Sequence, residues 1–147
     1  MAINVKKIFS EALIELADEK PLAKVTVTDI VKRAGTGRQT FYNHFLDKND
    51  LIYWIFLQTL KGERKIVTTQ GYLAYLISLY KKAQQNRAFF LQACAVKGQN
   101  NLMDAIYEQT YGHYLDCVAL SVGAEKVTEE ILYSLKFNAY GATGCYM

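Results

Sequence analysis

Arg38, Gln39, Thr40, Tyr42, Asn43, His44 and Lys48 crowd one short stretch of the chain and carry the donors and acceptors that proteins use against a nucleic-acid duplex. The guanidinium of Arg38 suits the O6 and N7 edge of guanine, and Gln39 and Asn43 each hold a donor beside an acceptor, as adenine requires in the major groove. Thr40, Tyr42, His44 and Lys48 offer hydroxyl, ring N–H and ammonium groups that set position on phosphates without reading sequence. In a helix, Gln39 and Asn43 stack four residues apart with Arg38 and Tyr42 beside them, while Phe41 and Phe45 share another face. One face is for contact, the other for a core.

The flanking residues define the elements that hold this face. Thr26 stands three residues before Asp29, which predicts a capped helix from about Val27 to Ala34, with Thr26 and Thr28 at its start as further DNA contacts. Lys32 and Arg33 then suit a helix C-terminus, and Gly35 suits the left-handed residue that ends it. The reading helix is expected over roughly Arg38 to Phe45. Asp47, with Asp50 three residues on, starts another helix and leaves the Lys48 ammonium and the first N–H groups for a phosphate. Two short helices joined at a glycine, the second polar and basic, have the pattern of a helix-turn-helix.

Residues 5 to 56 resemble the DNA-binding domain of the TetR family of bacterial transcription regulators. The matching segments are the amphipathic first helix, TVTDIVKRAG, TFYNHF and DKNDLIYWIF. The resemblance implies an all-α protein with a three-helix helix-turn-helix head over residues 1–50. It also implies a helical effector-binding and dimerisation body over 51–147, a homodimer on a palindromic operator, and a small-molecule effector. Family members have a small apolar residue and then Ser before the reading helix; Thr36 and Gly37 stand there in this chain. Gly37 brings no side-chain oxygen, so that helix either starts loosely or takes Thr36 as its cap. The body, through AFFLQA, KGQNNL and KFNAYGATG, is also similar to the branch that includes the activator of dihydroxyacetone kinase operons, in which a protein co-regulator replaces the small ligand and the output is activation.

Composition agrees with this frame. A chain of 147 residues that is 51% hydrophobic with one proline can bury a core and should be mostly helical. The net charge of +3 is small, but between Lys24 and Lys48 there are five basic residues, Lys24, Lys32, Arg33, Arg38 and Lys48, against Asp29 and Asp47. Three cysteines without a close pair, no signal peptide and no apolar run of membrane length point to reduced thiols in a cytoplasm.

Helix one presents Val5, Ile8, Phe9, Ala12, Leu13, Leu16 and Ala17 on one face and ends before Pro21. After Asp47, the apolar residues Leu51, Ile52, Trp54, Ile55, Phe56, Leu57 and Leu60 make a helix that touches both head and body. Residues 61 to 71 read as its end and a loop. The body then shows a helix over Tyr72 to Gln85, the short segment AFFLQACAV, a turn over Gly98 to Asn101, a long helix from Leu102 to about Val122, and a last helix opened by Thr128.

Tyr75, Phe89, Phe90, Cys94, Tyr107, Tyr111 and Tyr114 are the candidates for lining an effector pocket, against simple packing as the other reading. In the last helix, Tyr133, Phe137 and Tyr140, with Gly141 and Gly144 for close approach, are the candidates for a dimer interface, against an ordinary core helix. Family members carry one more helix after this point, so the resemblance implies a chain that is truncated at its C-terminus or unusually short. His113 and Cys117 supply two ligands at i, i+4, too few for a zinc site, and neither a phosphate loop nor a catalytic triad is evident, so no cofactor, metal or enzymatic activity is expected. The alternative of another class is a helical protein-interaction module without DNA binding.

Overall fold

A computed structural model describes residues 4–59, 61 and 72–144, and among these there are eight α-helices and no strand. They are α1 (Val5–Glu19), α2 (Val27–Arg33), α3 (Arg38–Tyr42), α4 (Lys48–Thr59), α5 (Tyr72–Gln85), α6 (Arg87–Ala95), α7 (Leu102–Val122) and α8 (Glu129–Gly144). Single 3₁₀ turns at Leu22–Lys24 and Ala124–Lys126 precede α2 and α8. The all-helical architecture expected from the sequence is observed. Leu60, most of the 61–71 join and Cys145 to Met147 lie outside the described residues, as do the side chains of Tyr72, Leu73, Tyr75, Leu76 and Leu79.

The chain forms two compact units, Met1–Lys97 and Gly98–Met147. In the first, α1 is the central strut and packs against α2, α4 and α6. Its buried residues are Phe9, Ala12, Leu13, Leu16 and Ala17, the stripe read from the helical period, while Val5 and Ile8 are half-buried. Asn4 caps its start by accepting the Lys7 N–H at 3.3 Å. The core is aromatic at its centre: Phe9 meets Phe41 edge to face at 5.3 Å and Phe45 at 6.3 Å, and Phe45 meets Trp54 at 6.1 Å. Phe9 and Phe41 are wholly buried, and each contributes about 1.5–3 kcal/mol by removal from water. The cluster ties α3 to both α1 and α4, which is how a helix of five residues is held in place.

The second unit pairs α7 with α8. Asn101 caps α7, accepting the Asp104 N–H at 3.0 Å and donating to the Asp104 carboxylate at 2.7 Å and the Gly98 carbonyl at 2.9 Å. Thr128 caps α8 through the Ile131 N–H at 3.4 Å. Ala139 and Thr143 form the buried side of α8.

Candidate nucleic-acid interface

The start of α2 is a reciprocal cap. Thr26 accepts the Asp29 N–H at 3.2 Å, and one Asp29 carboxylate oxygen accepts the Thr26 N–H at 2.8 Å, the Thr26 hydroxyl at 2.7 Å and the Lys20 ammonium at 2.9 Å. Lys20, then the Thr26 hydroxyl and N–H, hold the Asp29 carboxyl far below the ordinary carboxylate range. Thr26 and Thr28 are exposed at this helix start, in the places read for them. The helix runs to Arg33 with Ala34 as its cap, and Gly35 follows at φ +64°, the left-handed conformation expected there.

The reading helix is shorter than expected. It ends at Tyr42, with Asn43 as cap and His44 in the following turn, because the chain must bend back to bury Phe45 beside Phe41 and reach the start of α4. Its N-cap is Gly37, with no side-chain bond. Thr36 does not take the capping role: its backbone N–H bonds to the Val31 carbonyl at 2.9 Å, which turns its hydroxyl inward, where it is buried without a partner.

Arg38, Gln39, Tyr42, Asn43 and His44 are exposed together, whereas Phe41 is buried and Thr40 half-buried. Gln39 donates to the Asn43 side-chain oxygen at 3.1 Å, leaving the Gln39 oxygen as an acceptor beside the Asn43 amide donors, the pair that an adenine edge matches. Arg38 lies 6.0 Å from the Tyr42 ring centroid and donates to its hydroxyl at 3.5 Å, so the guanidinium fork is held beside these amides. The side chains are arranged before any ligand arrives.

Lys48 has a different setting from the phosphate contact read for it. Asp47 does cap α4, accepting the Asp50 N–H at 2.8 Å, and Asp50 accepts the Leu46 N–H at 2.9 Å. The Lys48 ammonium, however, donates to the carbonyls of Leu22 and Val25, both at 2.7 Å, and approaches that of Ala23 at 3.5 Å. Partial burial lowers its pKa, against the charge of Asp29. The basic count also thins: Arg33 is bound by Glu19 at 2.6 Å and Glu15 at 3.2 Å, joining α2 to α1. Lys24, Lys32 and Arg38 remain as the exposed cations of the segment without an ion pair among the described residues.

The remaining candidates separate. Phe89 is buried and meets Phe90 edge to face at 5.3 Å; Cys94 is half-buried, with burial pushing its thiol up and keeping it protonated. These three belong to the first unit, and Tyr107, Tyr111 and Tyr114 to the second; the Tyr75 side chain lies outside the described residues. Tyr107 lies parallel to Tyr111 with ring centroids 6.2 Å apart and meets Tyr140, tilted by 32°, at 4.3 Å. A cleft of about 480 Å³ in the first unit is lined instead by residues that include Ser10, Ile14, Trp54, Gln58 and Lys82. On α8, Tyr133, Phe137 and Tyr140 are 75%, 73% and 67% exposed along one face, and a Cβ added at Gly141 or Gly144 would meet nothing within 4 Å. The Cys117 sulfur lies 3.5 Å from His113 Nε2, and among the described residues no three His, Cys, Asp or Glu side chains gather as a metal site. No helix among them is long and apolar enough to cross a membrane.

Sequence reasoning missed Gln92. Its side-chain oxygen accepts the Leu22 N–H at 2.7 Å and its nitrogen donates to the Ala17 carbonyl at 2.8 Å, so α6 grips the joint between α1 and α2. The available signal was a single amide inside the apolar run AFFLQACAV, which needs partners when buried.

A three-helix head with a helix-turn-helix and a polar reading face defines the class of DNA-binding domain. Residues 10–53 match the model of the bacterial regulatory proteins, tetR family. The uncharacterized HTH-type transcriptional regulator YvdT of Bacillus subtilis is 52% identical over 42 residues, 29% of this chain and 22% of that protein. The HTH-type dhaKLM operon transcriptional activator DhaS of Lactococcus lactis is 36% identical over 55 residues, 37% of this chain and 29% of the relative. An HTH-type transcriptional regulator of Staphylococcus aureus strain USA300 is 29% identical over 114 residues, 69% of this chain and 60% of the relative. The chain thus spans less than two thirds of each of these relatives. A solved structure of the dihydroxyacetone kinase operon activator DhaS shares the fold, with a TM-score of 0.61 at 22% identity over 99% of this chain and 83% of that one.

Proposed function

We propose that this chain is a cytoplasmic TetR-like transcriptional regulator that binds a palindromic DNA operator as a homodimer and changes its DNA affinity with an effector. The observation that carries this reading is the shared exposure of Arg38, Gln39, Tyr42, Asn43 and His44 along α3 and the turn that follows it, anchored from behind by Phe41 and Phe45. A helix serving only protein packing has no need of such a set. In this reading Arg38, Gln39 and Asn43 recognise bases, and Thr26, Thr28, Thr40, Tyr42 and His44 position the head on the backbone. Residues 1–50 act as the reading head and 51–147 as the effector and dimer part. Tyr133, Phe137 and Tyr140 meet their counterparts across a two-fold axis, so that the two heads fall in successive major grooves about 34–36 Å apart.

An activator under a protein co-regulator is the second reading, favoured by the 36% identity to an operon activator. Selection of bound sequences from a random duplex pool at about 0.1–0.2 M salt tests the proposal. A palindromic consensus supports it. Failure to enrich any sequence from a dimeric preparation removes it in favour of a protein-interaction module.

A further inference from the structure

Leu22, wholly buried, sits in the turn that joins α1 to α2 and has both of its backbone polar groups taken by side chains far along the chain. Its carbonyl accepts from Lys48, at the start of α4. Its N–H donates to Gln92 on α6, and Gln92 also donates to the Ala17 carbonyl, one of the last of α1 and without a helical partner of its own. The partners dictate the orientation of the amide, since only its oxygen can meet an N–H and only its nitrogen a carbonyl. The two bonds span 70 and 75 residues and are part-buried. The other anchors of α6, Phe89 and Ala93, are apolar and carry no direction of their own. Hydrogen bonds do, because they weaken steeply with misalignment.

We propose that Gln92 is a positioning residue for DNA binding, the grip by which α6 sets the placement of the α1–α2 joint and, through Leu22 and Lys48, of the start of α4. The three helices so linked frame α3, where Phe41 and, just beyond the helix, Phe45 pack on Phe9 of α1 and Trp54 of α4. Shifting α6 moves Ala17 and Leu22 together or breaks both bonds, and either event reaches the reading face. This inference rests on the DNA-reading proposal above.

The test compares the full chain with Gln92→Leu, which loses both bonds, and Gln92→Glu, which keeps an acceptor for Leu22 but loses the donor to Ala17. Affinity for the selected duplex, base preference and Leu22 amide exchange are measured at a temperature where circular dichroism shows each protein folded. The expected result for Gln92→Leu is faster Leu22 exchange and an affinity loss of about tenfold with unchanged base preference; Gln92→Glu falls between it and the parent. Combination with Lys48→Met should cost less affinity than the two separate losses combined, because both act through Leu22. A purely structural role would lower the melting temperature and leave the affinity of the folded protein intact, which overturns the proposal. Unchanged Leu22 exchange overturns it as well. If the parent chain binds no duplex, the DNA reading has failed and the positioning role with it, while the exchange data still report whether the grip exists.

Discussion

The ammonium of Lys48 lies 2.7 Å from the carbonyl oxygen of Val25, so the first residue of α4 closes the turn that leads into α2. The residue expected to contact phosphate thus holds a turn of the head in this structure. Lys48→Met should lower stability by about 1–2 kcal/mol, the screened end of the range for charged hydrogen bonds, and weaken all DNA sequences alike. Thermal unfolding and a salt titration measure this. The slope of log affinity against log salt should change by less than one, whereas loss of a direct phosphate contact would lower it by about one.

The proposed DNA reading gives base recognition to Arg38 and to the Gln39–Asn43 pair, joined at 3.1 Å. Arg38→Ala or Asn43→Ala should each cost about 1–3 kcal/mol on the selected site and flatten preference at one or two base positions. Competition binding with single-base variants of the site checks it, and equal loss on every sequence would remove these residues from the reading role.

Acid should loosen the head through Asp29. Its carboxyl titrates well below the ordinary value near 3.9 because Lys20 and Thr26 bind the charged form. The unfolded chain therefore takes up this proton first. The stabilisation is fully present above about pH 4 and is lost as pH falls through the depressed folded value. Asp29→Asn should make the fall in stability between pH 7 and pH 3 shallower in urea unfolding. Glu19 and Glu130, also lowered, keep some acid sensitivity in the variant.

Phe137 is 73% exposed between Tyr133 and Tyr140 on α8. Phe137→Asp should leave helicity unchanged, because the side chain contributes little to the fold of its own chain, and shift the protein from dimer to monomer in sedimentation equilibrium. A variant as dimeric as the parent would place the two-fold contact elsewhere.

Gly37 caps α3 with φ −104°, and an added Cβ there meets nothing within 4 Å. Gly37→Ser should therefore fit, supply the missing side-chain acceptor and raise stability by a few tenths of a kcal/mol, about what Ser gains over Gly at this position. Chemical denaturation with an unchanged m-value is the measurement, and a loss of stability would mean that the serine cannot reach the first-turn N–H groups.

By itself the sequence determined whatever is local in the chain. The caps at Thr26, Asp47 and Thr128, the left-handed Gly35, the apolar stripe of α1 and the split of α3 into Phe41 behind and Arg38, Gln39 and Asn43 in front all follow from contacts within a few residues. Tertiary structure alone decided the partners of long polar side chains. Lys48 reaches the turn at Leu22 to Val25, Arg33 crosses to Glu15 and Glu19, and Gln92 grips Ala17 and Leu22, each across a separation that no helical period encodes. A buried carbonyl or amide must be met by some donor or acceptor, but which side chain meets it depends on how the helices pack.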